Sequence, residues 1–325
     1  MLLPVCNNAT GNPGTTVTTT SDASKVRFDR TVPTLNPVTI SSDNTDTQKA
    51  KEGSKVTINF TSSEGITSVS AEIGGHAAIL TPDLAGKVWT AEYTMLVTDN
   101  EGLQGINIAF QDSTGNIGTI VTSTSNGSSV VFDRTLPVLS NVAIVSNNPK
   151  TSQAKTGNEI SLTFTSSEII FTPNVTIEGH AATVTNISNN WTAKYTISGT
   201  EAEGTVDFTI DFKDLSYNSG TQVLATTNGS SVIIDNTTPN LTAVSISSNN
   251  SIANTKAKVG DIVTLTFTSS EGIKGVSATI DGKAATVTGD SNGTNWTGTY
   301  IMIGTDPEGN IPISIRHVPM SHIRG

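Results

Sequence analysis

Several features that would decide a protein's class are scarce in this sequence. There is one cysteine, Cys6, so no disulfide can form within the chain. No apolar run approaches the roughly 18 residues that a membrane-spanning helix needs, and the segment from Met1 to Cys6 is too short for a signal peptide. We therefore expect neither a disulfide framework nor insertion into a membrane.

Basic residues are also few. Lys and Arg number 18 against 28 Asp and Glu, which gives a net charge of −10. Binding of nucleic acid or of an anionic membrane needs clustered Lys and Arg, so neither is an expected partner, whereas an acidic surface suits divalent cations. The chain is rich in Thr, Ser, Asn and Gly and shows no helical period, which is typical of an all-β extracellular protein.

What the sequence does contain is a threefold repeat, marked by three motifs in a fixed order. Asp-x-Thr-x-Pro ends at Pro33, Pro137 and Pro239. Thr-Ser-Ser-Glu ends at Glu64, Glu168 and Glu271, and Trp-Thr-x-x-Tyr begins at Trp89, Trp191 and Trp296. The aspartates of the first motif are 104 and 102 residues apart. Residues repeated in every copy serve the fold or the joint between copies rather than a single catalytic act.

Each copy contains the pattern of several β-strands. Val56, Ile58 and Phe60 alternate with polar residues, which predicts a strand with one buried face. Gly74-Gly75 predicts a tight hairpin turn with positive φ at both central positions, and Glu178-Gly179 and Asp281-Gly282 occupy the same place. Trp and Tyr of the third motif fall on one face of a strand, which favours a core role. A long Thr/Val strand is predicted to run to Val131 and Phe132.

Seven strands in about 100 residues predict an immunoglobulin-like sandwich of two sheets. The fold class is therefore all-β, with tandem immunoglobulin-like β-sandwiches in a linear array. We expect a terminal strand remnant at 1–29, complete repeats at 30–133 and 134–235, and a third, truncated repeat at 236–325. The third copy diverges from about residue 316, where His317 and Pro319 replace the Phe and Asp of the other copies. The chain is accordingly expected to be part of a longer protein.

These motifs together resemble the tandem bacterial Ig-like repeats of large surface adhesins and other extracellular stalk proteins. The likeness rests on Asp-x-Thr-x-Pro, Phe-Thr-Ser-Ser-Glu, Trp-Thr-x-x-Tyr and the Asp-x-x-Gly-Asn segment at 112–116, and it covers nearly the whole chain. Such repeats act as spacers at the cell surface, and calcium often stiffens their joints. The resemblance implies architecture more firmly than activity.

Acidic residues are predicted to gather where one repeat meets the next. Asp133, Glu168 and Asp214 should meet at the start of the second repeat, and the loop carrying Asp99 and Glu101 should face them. The corresponding acids of the later copies are Glu201, Glu203, Asp306 and Glu308. Carboxylates so close repel one another unless a cation lies between them, and calcium accepts six to eight oxygen ligands. A structural calcium ion is the expected cofactor.

An alternative remains for these acids, in which Asp133 caps a turn and Glu168 accepts backbone amides of its own loop. A second joint would use Asp235 and Glu271 with Glu201 and Glu203, but Pro319 replaces its loop aspartate. We expect no catalysis, because no Cys/His cluster, nucleophile elbow or phosphate loop occurs. His76 and His180 correspond to Lys283 in a hairpin turn, which argues against a catalytic role.

The sequence therefore predicts a non-enzymatic, extracellular stalk segment whose partners are neighbouring repeats, with receptor binding carried by domains outside it. The rival hypothesis is an Ig-like recognition module that binds a glycan or protein directly. A third hypothesis concerns residues Gly14–Phe28, which resemble the strand that the third copy lacks. One chain's start could complete another chain's third repeat by strand addition.

Overall fold

A computed structural model of the chain describes residues 6–319, which form strands and turns but no helix. The chain divides into two compact units, Met1–Arg134 and Thr135–Gly325. No apolar helix of membrane-spanning length occurs in the described part. Parts of two predicted segments lie outside the described residues, namely 1–5 of the terminal remnant and 320–325 of the divergent tail.

Repeat 1 lies in the first unit. Its strands are β1 (Leu35–Ser42), β2 (Lys49–Ala50), β3 (Lys55–Ser62), β4 (Ile66–Ile73), β5 (His76–Ala77), β6 (Ile79–Pro82), β7 (Val88–Thr94), β8 (Gly102–Leu103), β9 (Ile106–Asp112) and β10 (Val131–Phe132). They form sheets ordered β1-β3-β7-β6, β5-β4-β9 and β2-β10-β8. Every pairing is antiparallel except β2 with β10, which is parallel.

Repeats 2 and 3 lie in the second unit and follow the same order. Repeat 2 contains β11 (Leu139–Ser146), β12 (Gln153–Ala154), β13 (Glu159–Ser166), β14 (Asn174–Ile177), β15 (His180–Ala181), β16 (Thr183–Ile187), β17 (Asn190–Thr196), β18 (Gly204–Thr205), β19 (Phe208–Asp211) and β20 (Ile233–Ile234). Repeat 3 contains β21 (Leu241–Ser248), β22 (Ile262–Ser269), β23 (Ile273–Ile280), β24 (Lys283–Ala284), β25 (Thr286–Gly289), β26 (Asn295–Ile301) and β27 (Ile313–Pro319). Within the described residues, repeat 3 lacks counterparts of β2, β8 and β10.

Each repeat encloses its own hydrophobic core between its sheets. In repeat 1, Ile58 of β3, Ile73 of β4 and Ile108 of β9 are fully buried in one cluster. Burial alternates along β3 as the sequence predicts, because successive side chains of a strand point to opposite faces. The Trp89 ring stacks on Phe60 with centroids 6.3 Å apart, and equivalent stacks recur in the other copies. The fold is thus an all-β series of immunoglobulin-like sandwiches.

The hairpin turns confirm the sequence prediction. Gly74 and Gly75 have φ of 59° and 84°, and Glu178 and Gly179 have φ of 52° and 73°. Positive φ at both central positions matches the right-handed twist of the flanking strands, and glycine adopts positive φ without strain.

The prediction of a long final strand is wrong, because only Val131 and Phe132 form a regular strand there. Between Asp112 and Val131 the chain makes isolated bridges, such as Ile108 with Val121. Further along, the Ser125 and Ser128 hydroxyls accept hydrogen bonds from the N–H groups of Val38 and Ile40, both at 2.9 Å. Serine side chains therefore accept hydrogen bonds from the N–H groups of β1, where backbone carbonyls of a neighbouring strand were expected to accept them.

Candidate cation site

The Thr-Ser-Ser-Glu motif forms a short turn that begins as the second long strand of each repeat ends. The Ser62 hydroxyl donates a hydrogen bond to the backbone carbonyl of Glu64. In repeat 2, Ser166 makes the same bond to Glu168 at 2.6 Å, and in repeat 3 Ser269 makes it to Glu271. A serine side chain thereby holds the backbone of the glutamate in place, which explains why the serine recurs.

The Asp-x-x-Gly-Asn segment folds around its own aspartate. The Asp112 carboxylate accepts hydrogen bonds from the N–H groups of Thr114 at 2.8 Å and Asn116 at 2.9 Å. The Asn116 amide donates to the same carboxylate at 2.7 Å. Asp214 of repeat 2 is held by Asn218 in the same way, with its N–H and its amide both at 2.8 Å.

The linker aspartate Asp29 is tied to this loop. The Asn116 amide donates to the Asp29 backbone carbonyl at 3.3 Å. The Thr31 N–H donates to the Asp29 carboxylate at 3.0 Å, so this side chain also caps the turn before Pro33. Asp235 accepts from the Thr237 N–H at 3.2 Å in the same manner.

Three carboxylates converge at this point of the first unit. Oxygens of Asp29, Glu64 and Asp112 all lie within 4.8 Å of one another. The Glu64 Oε1 atom is buried and accepts no hydrogen bond from the described residues. Calcium–oxygen distances of about 2.3–2.6 Å let two ligands of one ion lie up to about 5 Å apart, so the cluster matches one coordination sphere.

Asp112 is ionised at neutral pH although only 2% of it is exposed. Burial would raise the pKa of its carboxyl, but hydrogen bonds from Asn116 and Thr114 outweigh burial and lower the pKa to about 2. The loop therefore fixes a negative charge beside Asp29 and Glu64. A bound cation would offset the resulting repulsion and supply the missing partner of Glu64.

Asp99 and Glu201, two of the predicted calcium ligands, lie in turns of their own repeats. Asp99 accepts hydrogen bonds from the Tyr93 hydroxyl at 3.1 Å and the Leu96 N–H at 2.7 Å. Glu201 accepts from the Tyr195 hydroxyl and the Ser198 N–H. Asp306 is held by Tyr300 and Ile303 in the same way.

Sequence reasoning missed this arrangement, although a signal for it exists. The tyrosine precedes the acid by six residues in every copy, as in Tyr93 and Asp99. A histidine joins this tyrosine–acid pair in each of the first two repeats. The His76 ring stacks on Tyr93 and the His180 ring on Tyr195, with centroids 5.1 and 5.2 Å apart. These histidines thus cover the tyrosine rings, and the His76 Nε2 atom also lies 3.2 Å from an Asp99 carboxylate oxygen. Lys283 occupies the corresponding position in repeat 3 and forms an ion pair with Asp306.

Glu101 and Glu203 hold the start of the following linker. The Arg134 N–H donates to the Glu101 carboxylate at 3.0 Å. The Asn236 N–H donates to Glu203 at 3.0 Å, and the Thr237 hydroxyl donates to it at 2.7 Å. The hydrogen bonds from Thr237 and then Asn236 lower the pKa of Glu203, so it stays ionised.

The other predicted ligands divide between the two units. Asp133 lies in the first unit, one residue before its end at Arg134, and its N–H donates to the Ala50 carbonyl at 2.9 Å. Glu168 and Asp214 belong to repeat 2, and Asp214 is 1% exposed. They occupy the sequence positions that Asp29, Glu64 and Asp112 occupy one repeat earlier.

Asp235 and Glu271 approach each other inside the second unit. Burial first, and then the charges of Asp235 and Glu203, raise the pKa of Glu271. Its Oε1 atom accepts no hydrogen bond within residues 6–319. Ile273 pairs with Pro319 in the register in which Ile66 pairs with Asp112. Proline therefore stands where the third carboxylate would be, as the sequence indicates.

The sheets and cores define a chain of tandem immunoglobulin-like sandwiches. No protein-family model matches the sequence, and no curated protein sequence matches it. Similar solved structures include the fibronectin(III)-like modules of Clostridium thermocellum CbhA, at 16% identity, with a TM-score of 0.32 and coverage of 61% of this chain and 93% of that chain. The ICAM-5 D1–D4 ectodomain matches at 13% identity, with a TM-score of 0.35 and coverage of 87% of this chain and 76% of that chain.

A third similar structure is Bacteroides ovatus SGBP-B, of a mixed-linkage glucan utilization locus, in complex with a mixed-linkage heptasaccharide. It is 16% identical, with a TM-score of 0.21 and coverage of 85% of this chain and 62% of that chain. At these identities the likeness concerns the fold.

Proposed function

We propose that this chain is a non-enzymatic spacer, a stalk segment of an extracellular cell-surface adhesin, whose Ig-like repeats set the distance between a surface and a binding domain. The proposal rests on the structural roles of the residues that recur in every repeat. Tyr, Trp and the turn acids serve the interior of each repeat, and Glu101 and Glu203 hold the linker that follows. A spacer needs repeats that fold alone and linkers that keep their direction.

Calcium at the joints is the second part of the proposal. The support is the convergence of Asp29, Glu64 and Asp112 within 4.8 Å and the unpartnered, buried Glu64 Oε1 atom. Since Asp133, Glu168 and Asp214 occupy the same places in the sequence repeat, we propose that they bind a second ion. Asp99, Glu101, Glu201 and Glu203 then act indirectly, by shaping the turns and linkers.

The joint between repeats 2 and 3 is proposed to bind calcium more weakly. Asp235 and Glu271 are present, but Pro319 offers no side-chain oxygen in place of the loop aspartate. Ligand charge and number set calcium affinity, so losing one carboxylate of three weakens the site.

The test measures melting temperature and small-angle X-ray scattering of the 325-residue chain in calcium at about 1 mM, the upper range of extracellular modules, and then in chelator. We expect calcium to raise the melting temperature and to lengthen the particle. Glu64→Gln should abolish the response of the first unit, whereas Glu52→Gln, the same charge change at an exposed turn, should keep it. Unchanged melting and scattering in calcium would overturn the calcium part of the proposal.

Direct recognition of a glycan is a second candidate function, favoured by one feature of repeat 2. The Phe171 and Tyr217 rings lie 5.0 Å apart at a depression also lined by Lys213 and Asn174. Phe171 is 38% exposed, and Thr67 and Lys274 replace it in the other copies. Phe171 is thus an exposed aromatic ring beside polar groups, and such a ring suits stacking on a sugar.

Titration of the chain against an array of immobilised oligosaccharides tests this second function. Saturable binding that Phe171→Ala removes and Ile169→Ala retains would support it, because Ile169 is an exposed neighbour outside the depression. Absence of binding, or equal binding by both variants, would leave the spacer role as the function.

A further inference from the structure

Repeat 3 presents an uncovered strand face. Val244 and Ile246 of β21 are 44% and 42% exposed, whereas their repeat 1 counterparts, Val38 and Ile40, are 1% and 5% exposed. The difference arises because, in the described part of the chain, nothing in repeat 3 replaces the segment that covers β1 in repeat 1. Two apolar side chains are thus left at a surface that the same fold buries elsewhere.

The covering segment of repeat 1 binds β1 through a defined set of hydrogen bonds. The Ser125 N–H donates to the Val38 carbonyl, and the Val38 and Ile40 N–H groups donate to the Ser125 and Ser128 hydroxyls, all at 2.9 Å. Repeat 2 keeps this geometry, because the Ile144 N–H donates to the Ser230 hydroxyl at 2.9 Å. The segment then continues into the strand that pairs with β2 or β12.

Residues 14–28 contain the same segment, and they cover no strand in the described part of the chain. Ser21, Ser24, Val26 and Phe28 precede Ser125, Ser128, Val130 and Phe132 by 104 residues each. Val130 and Phe132 are fully buried, whereas Val26 and Phe28 are 100% and 85% exposed.

This initial segment already has the local conformation of its counterpart. The Thr20 hydroxyl donates to the Ser24 carbonyl at 2.7 Å, as Thr124 donates to Ser128 at 2.8 Å. The Ser24 N–H donates to the Asp22 carboxylate at 3.0 Å, as the Ser128 N–H donates to Asn126 at 3.0 Å. A segment preorganised in its bound shape loses less conformational entropy when it docks.

We propose that residues Gly14–Phe28 of one chain complete repeat 3 of a second copy by strand addition. By the register of repeat 1, Ser21 and Ser24 would accept hydrogen bonds from the N–H groups of Val244 and Ile246. Phe28 would take the place of Phe132 beside Ala257, which is exposed here although its counterpart Ala50 is fully buried. Backbone hydrogen bonds and burial of alternate side chains together supply affinity in this mode of recognition.

The contact joins different surfaces of two identical chains, so it is heterologous and can continue from copy to copy. The associated species should therefore grow with concentration rather than stop at a symmetric dimer. Asp29 of the acidic cluster directly follows the docking segment, so association is measured in chelator, where it is expected to occur without calcium.

Light scattering of the 325-residue chain from about 1 µM to about 1 mM tests the inference. The mass should rise above 33.8 kDa with concentration. Phe28→Asp should weaken association at least tenfold, since a charge would enter the buried position, and folding should be unaffected because Phe28 is exposed in the single chain. Leu84→Asp, at another fully exposed apolar residue, is the matched control and should associate normally.

A peptide of residues 14–28 supplies a second measurement. It should dissociate the assemblies and bind the chain, whereas a scrambled peptide of the same composition should do neither. A mass of 33.8 kDa at every concentration, or equal association of the Phe28→Asp and Leu84→Asp variants, would overturn the inference.

Discussion

At the scale of the residue, Asp112 shows how one carboxylate organises a loop. The N–H groups of Thr114 and Asn116 donate to it, and the Asn116 side chain links the same loop to Asp29. The hydrogen bonds that shape the loop also keep the carboxylate charged. Folding and the proposed cation binding therefore make compatible demands on the same side chain.

Acid should destabilise repeat 1 through this residue. The folded pKa of Asp112 is about 2, below its ordinary value of 3.8. The folded state thus binds the proton more weakly, and the stabilisation is present above about pH 4 and is lost as the pH falls toward 2. In chelator, Asp112→Asn should lower the melting temperature at pH 7 by several degrees and flatten its fall below pH 4. Glu52→Gln is the control, and an identical acid profile for all three proteins would contradict the prediction.

Glu271 should have the opposite effect. Burial and the neighbouring charges of Asp235 and Glu203 raise its folded pKa, so the folded state binds the proton more tightly. Stability should rise as the pH falls from 7 toward the ordinary value of 4.5. In chelator, Glu271→Gln should raise the melting temperature of the second unit at neutral pH by a few degrees and remove this pH dependence. A lower melting temperature for the variant would show that the Glu271 carboxylate stabilises the folded protein, which would contradict the prediction.

At the scale of the element, the strands with a regular period of two were predictable, and the segment after β9 was not. Val56, Ile58 and Phe60 alternate with polar residues because β3 has one buried face. Between Ile117 and Ser129 the Thr and Val content suggests a strand, but the Ser125 and Ser128 side chains make the bonds instead. Composition does not distinguish a serine that lies beside a strand from one that lies in it.

The candidate site divides in the same way. The sequence predicted a cluster of the motif acids Asp133, Glu168 and Asp214 at the start of repeat 2. Their counterparts in repeat 1, Asp29, Glu64 and Asp112, lie within 4.8 Å of one another. Asp99 and Glu201 also recur, yet their carboxylates serve the Tyr93 and Tyr195 hydroxyls. Recurrence identifies a residue that matters to every repeat but not the direction in which its side chain points.

The turn after β9 offers a sharp test of packing. A Cβ atom added at Gly118 would lie 2.2 Å from the Phe110 ring, which is 4% exposed. Gly118→Ala should therefore displace the ring and cost about 1–3 kcal/mol of the free energy of unfolding. Gly105→Ala is the matched control, because a Cβ there meets nothing within 4 Å. Chemical denaturation of both variants measures the difference, and equal stabilities would refute the packing argument.

At the scale of the whole molecule, the three repeats have cores of unequal size. Among the described residues, the buried hydrophobic clusters contain 16 side chains in repeat 1, 19 in repeat 2 and seven in repeat 3. Repeat 3 also leaves Val244 and Ile246 exposed. Stability follows buried apolar area, so the repeats should not unfold together.

We expect thermal unfolding of the chain in more than one transition, with repeat 3 unfolding first. Amide hydrogen exchange should show the least protection in β21 and β22 and more in the equivalent strands β1 and β3. The measurement is made on dilute protein, so that association does not stabilise repeat 3. Uniform protection across the three repeats would contradict the expectation.

The parallel pairing of β2 with β10 has a consequence for a chain under tension. In a parallel pair the chain arrives at one end, at Lys49, and leaves at the other, at Phe132. A force that pulls these ends apart acts along the strands, so the hydrogen bonds must break in shear together rather than unzip singly. Repeats 1 and 2 have this parallel strand pair, and the described part of repeat 3 does not. Under load, repeat 3 would extend first and act as the compliant link of the series.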